Sequence, residues 1–211
     1  MSNPKFEIQN PKSEMSSKII TYPNLLTFLR MALIPVFASL LFYGYSGWAL
    51  FVFVVAGVSD GIDGFVARRF NQESELGTIL DPIADKLLMT TAFIILTLPN
   101  IFSPTRHLPV PFWVTAAVIG RDVLIVAVAA AIFIITDFRG FRPSWLGKVS
   151  TLVQVVAVVL ILLAAIFHSL QSFYLPTVYT TVFALAFFSG FHYIFYVARL
   201  MKEEDSQKKK N

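Results

Sequence analysis

The sequence contains no cysteine, and charged residues make up only 14% of its 211 positions. The absence of cysteine excludes a disulfide framework and thiol chemistry. A soluble domain carries about 25% charged residues, so this composition indicates another class of protein. Histidine is scarce as well. The three histidines are scattered, with no second histidine or carboxylate at ligand spacing. A metal site built on histidine or cysteine is therefore not expected.

Long apolar runs are what the sequence has instead. Hydrophobic residues account for 56% of the chain, and they gather in runs of about 20 residues, which can cross a bilayer core of about 30 Å. The first run is too long for a cleavable signal peptide and is followed by five more. We predict an all-α integral membrane protein with one domain at 21–201, a polar tail at 1–20 and a basic tail at 202–211. Its six transmembrane helices are predicted at about 25–43, 48–67, 82–98, 112–136, 145–167 and 176–198.

Basic residues fall almost entirely on one side of this predicted topology. The opposite loops contribute only Arg106. By the positive-inside rule, both termini are expected in the cytoplasm. The net charge of +4 then reflects orientation and contact with anionic lipids rather than nucleic-acid binding. The residues on the predicted cytoplasmic side are Lys5, Lys12, Lys18, Arg68, Arg69, Arg139, Arg142, Lys148, Arg199, Lys202, Lys208, Lys209 and Lys210.

Four aspartates interrupt the apolar pattern between the second and third predicted spans, in SDGIDGFVARRFNQESELGTILDPIADK. Asp60 and Asp63 are spaced i, i+3, and Asp81 and Asp85 are spaced i, i+4, so each pair shares one helix face. The short loop between the spans is expected to return the chain antiparallel and to bring both pairs together. Because like charges this close repel one another, the cluster needs a compensating cation. Oxygen-only ligands favour Mg²⁺, Mn²⁺ or Ca²⁺ over zinc.

Two of these acids also have structural explanations. Asp81 precedes Pro82 and could be the N-cap of the third helix. Asp85 could pair with Lys86 or lie at the membrane edge. Asp60 is harder to explain in this way, because it lies well inside the second predicted span, where a charge is costly and by default functional.

Glycines and an arginine lie beside the acids. Gly64 and Gly77 carry no side chain, so either a ligand or a neighbouring helix can approach closely there. Arg68 lies one turn after Gly64 on the same face and could bind a phosphate. Together with a metal, these residues suggest a diphosphate-containing substrate that enters from the cytoplasm.

The stretch from Asp60 to Asp85 matches every fixed position of the pattern DxxDGxxAR-x8-GxxxDxxxD, and the chain thereby resembles the CDP-alcohol phosphatidyltransferase family. The stretch TYPNLLTFLR at 21–30 also resembles the start of the first helix in the phosphatidylglycerophosphate and cardiolipin synthase branch. The resemblance implies transfer of a phosphatidyl group from CDP-diacylglycerol to an alcohol, with release of CMP. It further implies a homodimer in the bacterial inner membrane, or in the mitochondrial inner membrane if the source is eukaryotic.

The same resemblance assigns roles to individual residues. Two Mg²⁺ (or Mn²⁺) ions would be the cofactors, and Asp85 would also be the general base for the acceptor hydroxyl. The implied metal ligands are Asp60, Asp63, Asp81 and Asp85. The implied pocket for the CDP-lipid consists of Gly64, Ala67, Arg68 and Gly77, with Asn24 and Thr27 joining from the first span.

Three basic residues near the cytoplasmic ends of later spans, Arg121, Lys148 and Arg199, are candidates for binding the acceptor. A phosphate-bearing acceptor would need such a cluster, which makes glycerol-3-phosphate the first choice, and WLGKVSTLVQ resembles phosphatidylglycerophosphate synthases. The Arg121-Asp122 pair, by contrast, is similar to eukaryotic-type cardiolipin synthases, which makes phosphatidylglycerol the alternative acceptor. Arg121 and Asp122 could also form a purely structural ion pair.

A cation transporter or channel subunit is the alternative outside enzymology, since such proteins also place aspartates in membrane helices. Transporters tend to show internal repeats or helices broken at the bilayer midplane. Neither pattern is present in this sequence, which favours the enzyme.

Overall fold

The structure is a computed structural model, and it describes residues 22–70, 75–98, 110–136, 145–167 and 171–208. These residues form six α-helices and no strand. The helices are α1 (Tyr22–Phe42), α2 (Ser46–Phe70), α3 (Glu75–Thr97), α4 (Phe112–Thr136), α5 (Trp145–Ile166) and α6 (Gln171–Lys208). The all-α prediction is confirmed. The tail predicted at 1–20 lies outside the described residues.

The helix bounds agree with the prediction most closely at α4, and they differ from it most at α3 and α6. Helix α3 begins at Glu75, seven residues before the predicted start at Pro82. The prediction placed Pro82 at the first helical position, but a proline inside a membrane helix is tolerated where neighbouring groups satisfy the freed carbonyl. Asp81 therefore lies inside α3, and the N-cap explanation for Asp81 is wrong. At the other end of the chain, α6 continues to Lys208, so the predicted basic tail begins as helix.

A tight turn joins α1 to α2 at Gly44, whose φ is +79°. The amide of Tyr45 donates to the carbonyl of Leu40 at 2.8 Å, and the amide of Gly44 donates to that of Leu41 at 3.0 Å. This is the Schellman arrangement, in which the residue with positive φ is usually glycine. The turn sends α2 back along α1.

Small and aromatic side chains fill the space between the helices. Helix α1 packs against α2 and α3, and α6 packs against α4 and α5. Ala49, Ala56 and Ala92 are fully buried, which lets neighbouring helices approach closely. Phe37 of α1 and Phe53 of α2 contact each other with ring centroids 5.6 Å apart. Interior packing of this kind positions the polar groups described below.

The outer faces of the bundle are apolar. Phe51, Phe188 and Phe195 are 60%, 63% and 71% exposed, whereas soluble proteins rarely expose large contiguous apolar patches. Two helical stretches within the described residues, Trp145–Ile166 and Tyr174–Arg199, are long and apolar enough to cross a bilayer. The six spans and the cytoplasmic termini stay predictions.

Candidate active site

Two of the four predicted metal ligands, Asp81 and Asp85, lie in the first half of α3 and are both half-buried. They are one helical turn apart, so their carboxylates share one face of the helix. The hydroxyl of Thr27, on α1, donates a hydrogen bond to Oδ1 of Asp81. Thr27 itself is 0% exposed. We call the turn from Asp81 to Asp85 the acidic turn. The contact between α1 and α3 fixes its position in the bundle.

Arg30 lies one turn after Thr27, on the same face of α1. Its side chain is large and positively charged, yet it is only 1% exposed. A charge buried in a membrane protein is costly, and such charges are usually functional. Arg30 ends the stretch TYPNLLTFLR, where no sequence pattern indicates its role.

Lys86 reaches across to α4 rather than back along its own helix. Its Nζ lies 2.8 Å from Oδ2 of Asp122. The ammonium group of Lys86 therefore pairs with α4, whereas the alternative had paired it with Asp85. The ion pair fastens the part of α3 that carries Asp85 to the middle of α4.

The second oxygen of the same carboxylate binds Arg121. Nη1 of Arg121 lies 2.6 Å from Oδ1 of Asp122. The guanidinium group also donates to Oγ of Ser189, from Nη2 at 3.1 Å and from Nε at 3.3 Å. A fourth hydrogen bond runs from Nη2 to the carbonyl of Gly147 at 3.3 Å. The structural pairing considered for Arg121 and Asp122 is therefore present.

Asp122 is thus the centre of a network that joins four helices: Lys86 from α3, Asp122 and Arg121 from α4, Gly147 from α5 and Ser189 from α6. The network contains two cations and one anion, so one positive charge is left over. Arginine has five N–H donors, and the four bonds of Arg121 leave one of them for another acceptor.

The structure places the other two predicted acceptor-binding residues differently. Lys148 directly follows Gly147, so it lies beside the network, and its side chain is exposed. Arg199 is exposed as well, but it follows Ser189 by ten residues, which corresponds to about 15 Å along α6. Arg121 therefore contacts the backbone next to Lys148, whereas Arg199 lies further along the bundle.

A buried polar pair lies deeper along α5. Ser150 and Gln154 are each 1% exposed, and the side-chain amide of Gln154 donates to the hydroxyl of Ser150 at 3.5 Å. Oε1 of Gln154 has no hydrogen-bond partner within the part of the chain that the structure describes. Buried polar groups are usually hydrogen-bonded, so the polar character of this interior extends beyond the charged network.

The remaining predicted site residues belong to helices, but their side chains lie outside the described part of the chain. In α2 these are Asp60, Asp63, Gly64, Ala67 and Arg68, in α3 Gly77, and in α1 Asn24.

The donor chemistry of the described acids fits a hard divalent cation. Asp81 and Asp85 offer only carboxylate oxygens, which Mg²⁺ and Mn²⁺ prefer. Among the described side chains, no three potential ligands lie together. The other two predicted ligands, Asp60 and Asp63, belong to α2. The predicted ligand set stays a prediction.

Several groups of this site could not be assigned from the sequence. Thr27 was assigned to the nucleotide pocket, and its contact with Asp81 has no local sequence signal. Ser189 lies in the apolar stretch FFSGF, where nothing marks it as a partner of Arg121. Lys86 was considered as a partner of Asp85, and Asp122 as a partner of Arg121. The contact between Lys86 and Asp122 spans 36 positions and depends on how α3 meets α4.

Comparison with known proteins gives a consistent result. The sequence profile of the CDP-alcohol phosphatidyltransferase family matches residues 20–198. The chain is 32% identical over 215 residues to a cardiolipin synthase (CMP-forming) of Streptomyces coelicolor, and the match covers 95% of this chain and 93% of that protein.

Two further relatives match a smaller part. Identity is 36% over 197 residues with a cardiolipin synthase (CMP-forming) of Rattus norvegicus, covering 82% of this chain. The matched region spans 61% of the rat protein's length. Identity with the CDP-diacylglycerol–glycerol-3-phosphate 3-phosphatidyltransferase of Escherichia coli is 39% over 142 residues, or 64% of this chain and 72% of that protein.

Proposed function

Because the chain belongs to the CDP-alcohol phosphatidyltransferase family, we propose that it transfers the phosphatidyl group of CDP-diacylglycerol to the hydroxyl group of a glycerol phosphate and releases CMP. The observation that carries this proposal is the half-buried turn with Asp81 and Asp85, fixed by Thr27 from α1. Carboxylates held in this way suit a diphosphate substrate only if a cation accompanies them. The E. coli relative is named for CDP-diacylglycerol as donor, and the S. coelicolor relative is named as CMP-forming.

In the proposed reaction, Asp85 accepts the proton of the acceptor hydroxyl. The acceptor oxygen then forms a bond to the lipid-linked phosphorus, and the bond between this phosphorus and the bridging oxygen breaks, so that CMP departs with that oxygen. Two Mg²⁺ or Mn²⁺ ions, held by Asp60, Asp63, Asp81 and Asp85, would neutralise the diphosphate and stabilise the leaving group. Gly64, Ala67, Arg68, Gly77 and Asn24 are proposed to contact the cytidine diphosphate.

Glycerol-3-phosphate is the first acceptor candidate. The basic residues Arg121 and Lys148 lie at the same level of the bundle as Lys86, and a small phosphate ester requires such a concentration of positive charge. The E. coli relative named for this acceptor also has the highest identity of the three relatives described above. Arg199 is proposed to bind the acceptor only as an outer contact, because of its position along α6.

Phosphatidylglycerol is the alternative acceptor, and one contact in the structure favours it. Asp122 binds both Lys86 and Arg121, so much of the local positive charge is already compensated. A phosphodiester with a single negative charge needs less compensation than a phosphate monoester. The relative named cardiolipin synthase from Streptomyces coelicolor also covers more of this chain than the E. coli relative does.

An acceptor swap tests the proposal. The purified full chain in mixed micelles is given CDP-diacylglycerol and Mg²⁺, with either glycerol-3-phosphate or phosphatidylglycerol, and CMP release is measured. Release with one acceptor supports the transferase and identifies the alcohol. If CMP is released with neither acceptor and with no other alcohol, the proposed activity is contradicted. The cation transporter would then be the alternative.

The proposed setting is a membrane. Six transmembrane helices with cytoplasmic termini, in the bacterial inner membrane or the mitochondrial inner membrane, would place the acidic turn where a cytoplasmic or matrix substrate can reach it. A homodimer in contact with membrane lipids is the proposed assembly. Labelling of single cysteines introduced at each terminus of this cysteine-free chain tests the orientation. In vesicles whose cytoplasmic face is inside, labelling only after the membrane is permeabilised supports cytoplasmic termini.

A further inference from the structure

Thr27 is a fully buried hydroxyl whose acceptor is a carboxylate. It is 0% exposed, and its Oγ1 donates to Oδ1 of Asp81 across the contact between α1 and α3. The bond connects residues 54 positions apart, so it depends on helix packing and not on local sequence. Asp81 is half-buried, so part of this residue remains accessible.

The geometry leaves Asp81 able to bind a cation while Thr27 holds it. An ionised carboxylate has two oxygens and about four lone-pair sites. One donor on Oδ1 uses one of these sites and fixes the rotation of the group. This one bond leaves about three of the lone-pair sites for a metal ion. A hydrogen bond of this kind orients a metal ligand before the metal arrives.

The same geometry argues against direct contact between Thr27 and the nucleotide. The family resemblance implied that Thr27 lines the CDP-lipid pocket, but its side chain presents no accessible surface. Its hydroxyl proton is already donated to Asp81, so it is not available to a phosphate oxygen. We propose that Thr27 is a positioning residue for the metal ligand Asp81 and acts on the substrate only through it. This inference rests on the proposed function, because it takes Asp81 to be a metal ligand.

The expected size of the effect follows from other metal sites. Loss of a group that orients a ligand typically weakens metal binding by about 10-fold to 100-fold. Thr27→Val removes the hydroxyl and keeps the shape of the side chain. Because Asp81 is half-buried, its carboxylate can turn to water in this variant, so the variant is expected to fold. Thr27→Ser restores the hydroxyl.

The test measures metal binding directly on the full chain in detergent, by titration with Mn²⁺ followed by electron paramagnetic resonance. Thr115→Val is the matched control: Thr115 is 5% exposed and shares a hydrogen bond with Thr97 at 2.6 Å. Thr97 follows Asp81 by sixteen residues, about 24 Å along α3. The control therefore also removes a buried hydroxyl, but far from the acidic turn.

We expect Thr27→Val to raise the Mn²⁺ concentration at half-saturation by about 10-fold to 100-fold, with Thr27→Ser and Thr115→Val within about threefold of the unchanged chain. If Thr27→Val fails to fold, Thr27→Cys replaces it, because a thiol is a weak donor and the same weakening is expected. Unchanged Mn²⁺ binding with a raised KM for CDP-diacylglycerol would overturn the inference and return Thr27 to the lipid pocket. No saturable Mn²⁺ binding by the unchanged chain would instead overturn the metal site itself, and with it the proposed function.

Discussion

The shared carboxylate of Asp122 leads to an asymmetric prediction about stability. Asp122 binds Arg121 at 2.6 Å with one oxygen and Lys86 at 2.8 Å with the other. Its two partners differ in burial: the side chain of Arg121 is 6% exposed, whereas that of Lys86 is 43% exposed. Asp122→Asn removes the charge from both contacts, and Lys86→Met removes only the outer contact while keeping the length of the side chain.

The magnitudes follow from burial. An ion pair open to water contributes about 0.2–1 kcal/mol, so Lys86→Met should lower the free energy of unfolding by no more than this. Removing the partner of a buried charge costs about 3–5 kcal/mol, because the remaining charge stays buried without compensation. The carbonyl of asparagine still accepts one hydrogen bond, which puts Asp122→Asn at the lower end, at about 3 kcal/mol. Asp122→Asn should therefore lower the free energy of unfolding by at least about three times as much as Lys86→Met does.

Unfolding of the purified variants by SDS in mixed micelles, followed by tryptophan fluorescence, measures both values. The double variant should cost less than the sum of the two single variants, by up to about 1 kcal/mol, because the outer ion pair is lost only once. The reasoning is refuted if Lys86→Met destabilises the protein as much as Asp122→Asn does, or if Asp122→Asn costs less than about 1 kcal/mol. The first result would mean that burial does not set the contributions of the two contacts, and the second that Arg121 is not held by Asp122 in the folded protein.

Three further predictions concern catalysis and the network. Asp85→Asn should reduce CMP release to background while leaving binding of labelled CDP-diacylglycerol largely intact, because the proton acceptor is lost while three acids and the amide oxygen of asparagine can still bind the metal ions; turnover near normal would contradict the role of base. Lys148→Ala should raise the KM for glycerol-3-phosphate with little change in kcat, because Lys148 is exposed and lies beside Arg121; steady-state kinetics measure this, and an unchanged KM would favour phosphatidylglycerol. Ser189→Ala should lower the free energy of unfolding in SDS by about 1.5–3 kcal/mol, because Ser189 accepts two hydrogen bonds from a charged group; a change below about 0.5 kcal/mol would show that these bonds do not form in the folded protein.

The sequence was sufficient to predict the helical class and the family. Apolar runs predict membrane helices well, since the backbone in a bilayer must satisfy its own hydrogen bonds, and α4 was predicted at the bounds that the structure has. The start of α3 was wrong because Pro82 was taken as a first helical residue, although one lost hydrogen bond does not end a packed helix. The error does not affect the choice of the four aspartates as candidates, because that choice depends only on their spacing along the sequence.

The contacts between helices could not be predicted in the same way. Thr27 with Asp81, and Lys86 with Asp122, are separated by 54 and 36 positions. Which of these side chains meet is decided by the rotation and depth of each helix, and no local pattern encodes either. Ser189 shows the limit most clearly, because a single serine in an apolar helix has the same local signal whether it bonds to its own backbone or to a buried arginine.

The central claim, that the acidic turn of α3 carries out metal-dependent release of CMP from CDP-diacylglycerol, has one direct measurement. CMP release is followed with both acceptors present and with Mg²⁺, before and after chelation by EDTA, for the unchanged chain and for Asp81→Asn. We expect EDTA to abolish CMP release and excess Mg²⁺ to restore it. The Asp81→Asn variant should reach the same rate of release only at a much higher Mg²⁺ concentration. Release that persists in EDTA, or an Asp81→Asn variant with an unchanged dependence on Mg²⁺, would contradict the account.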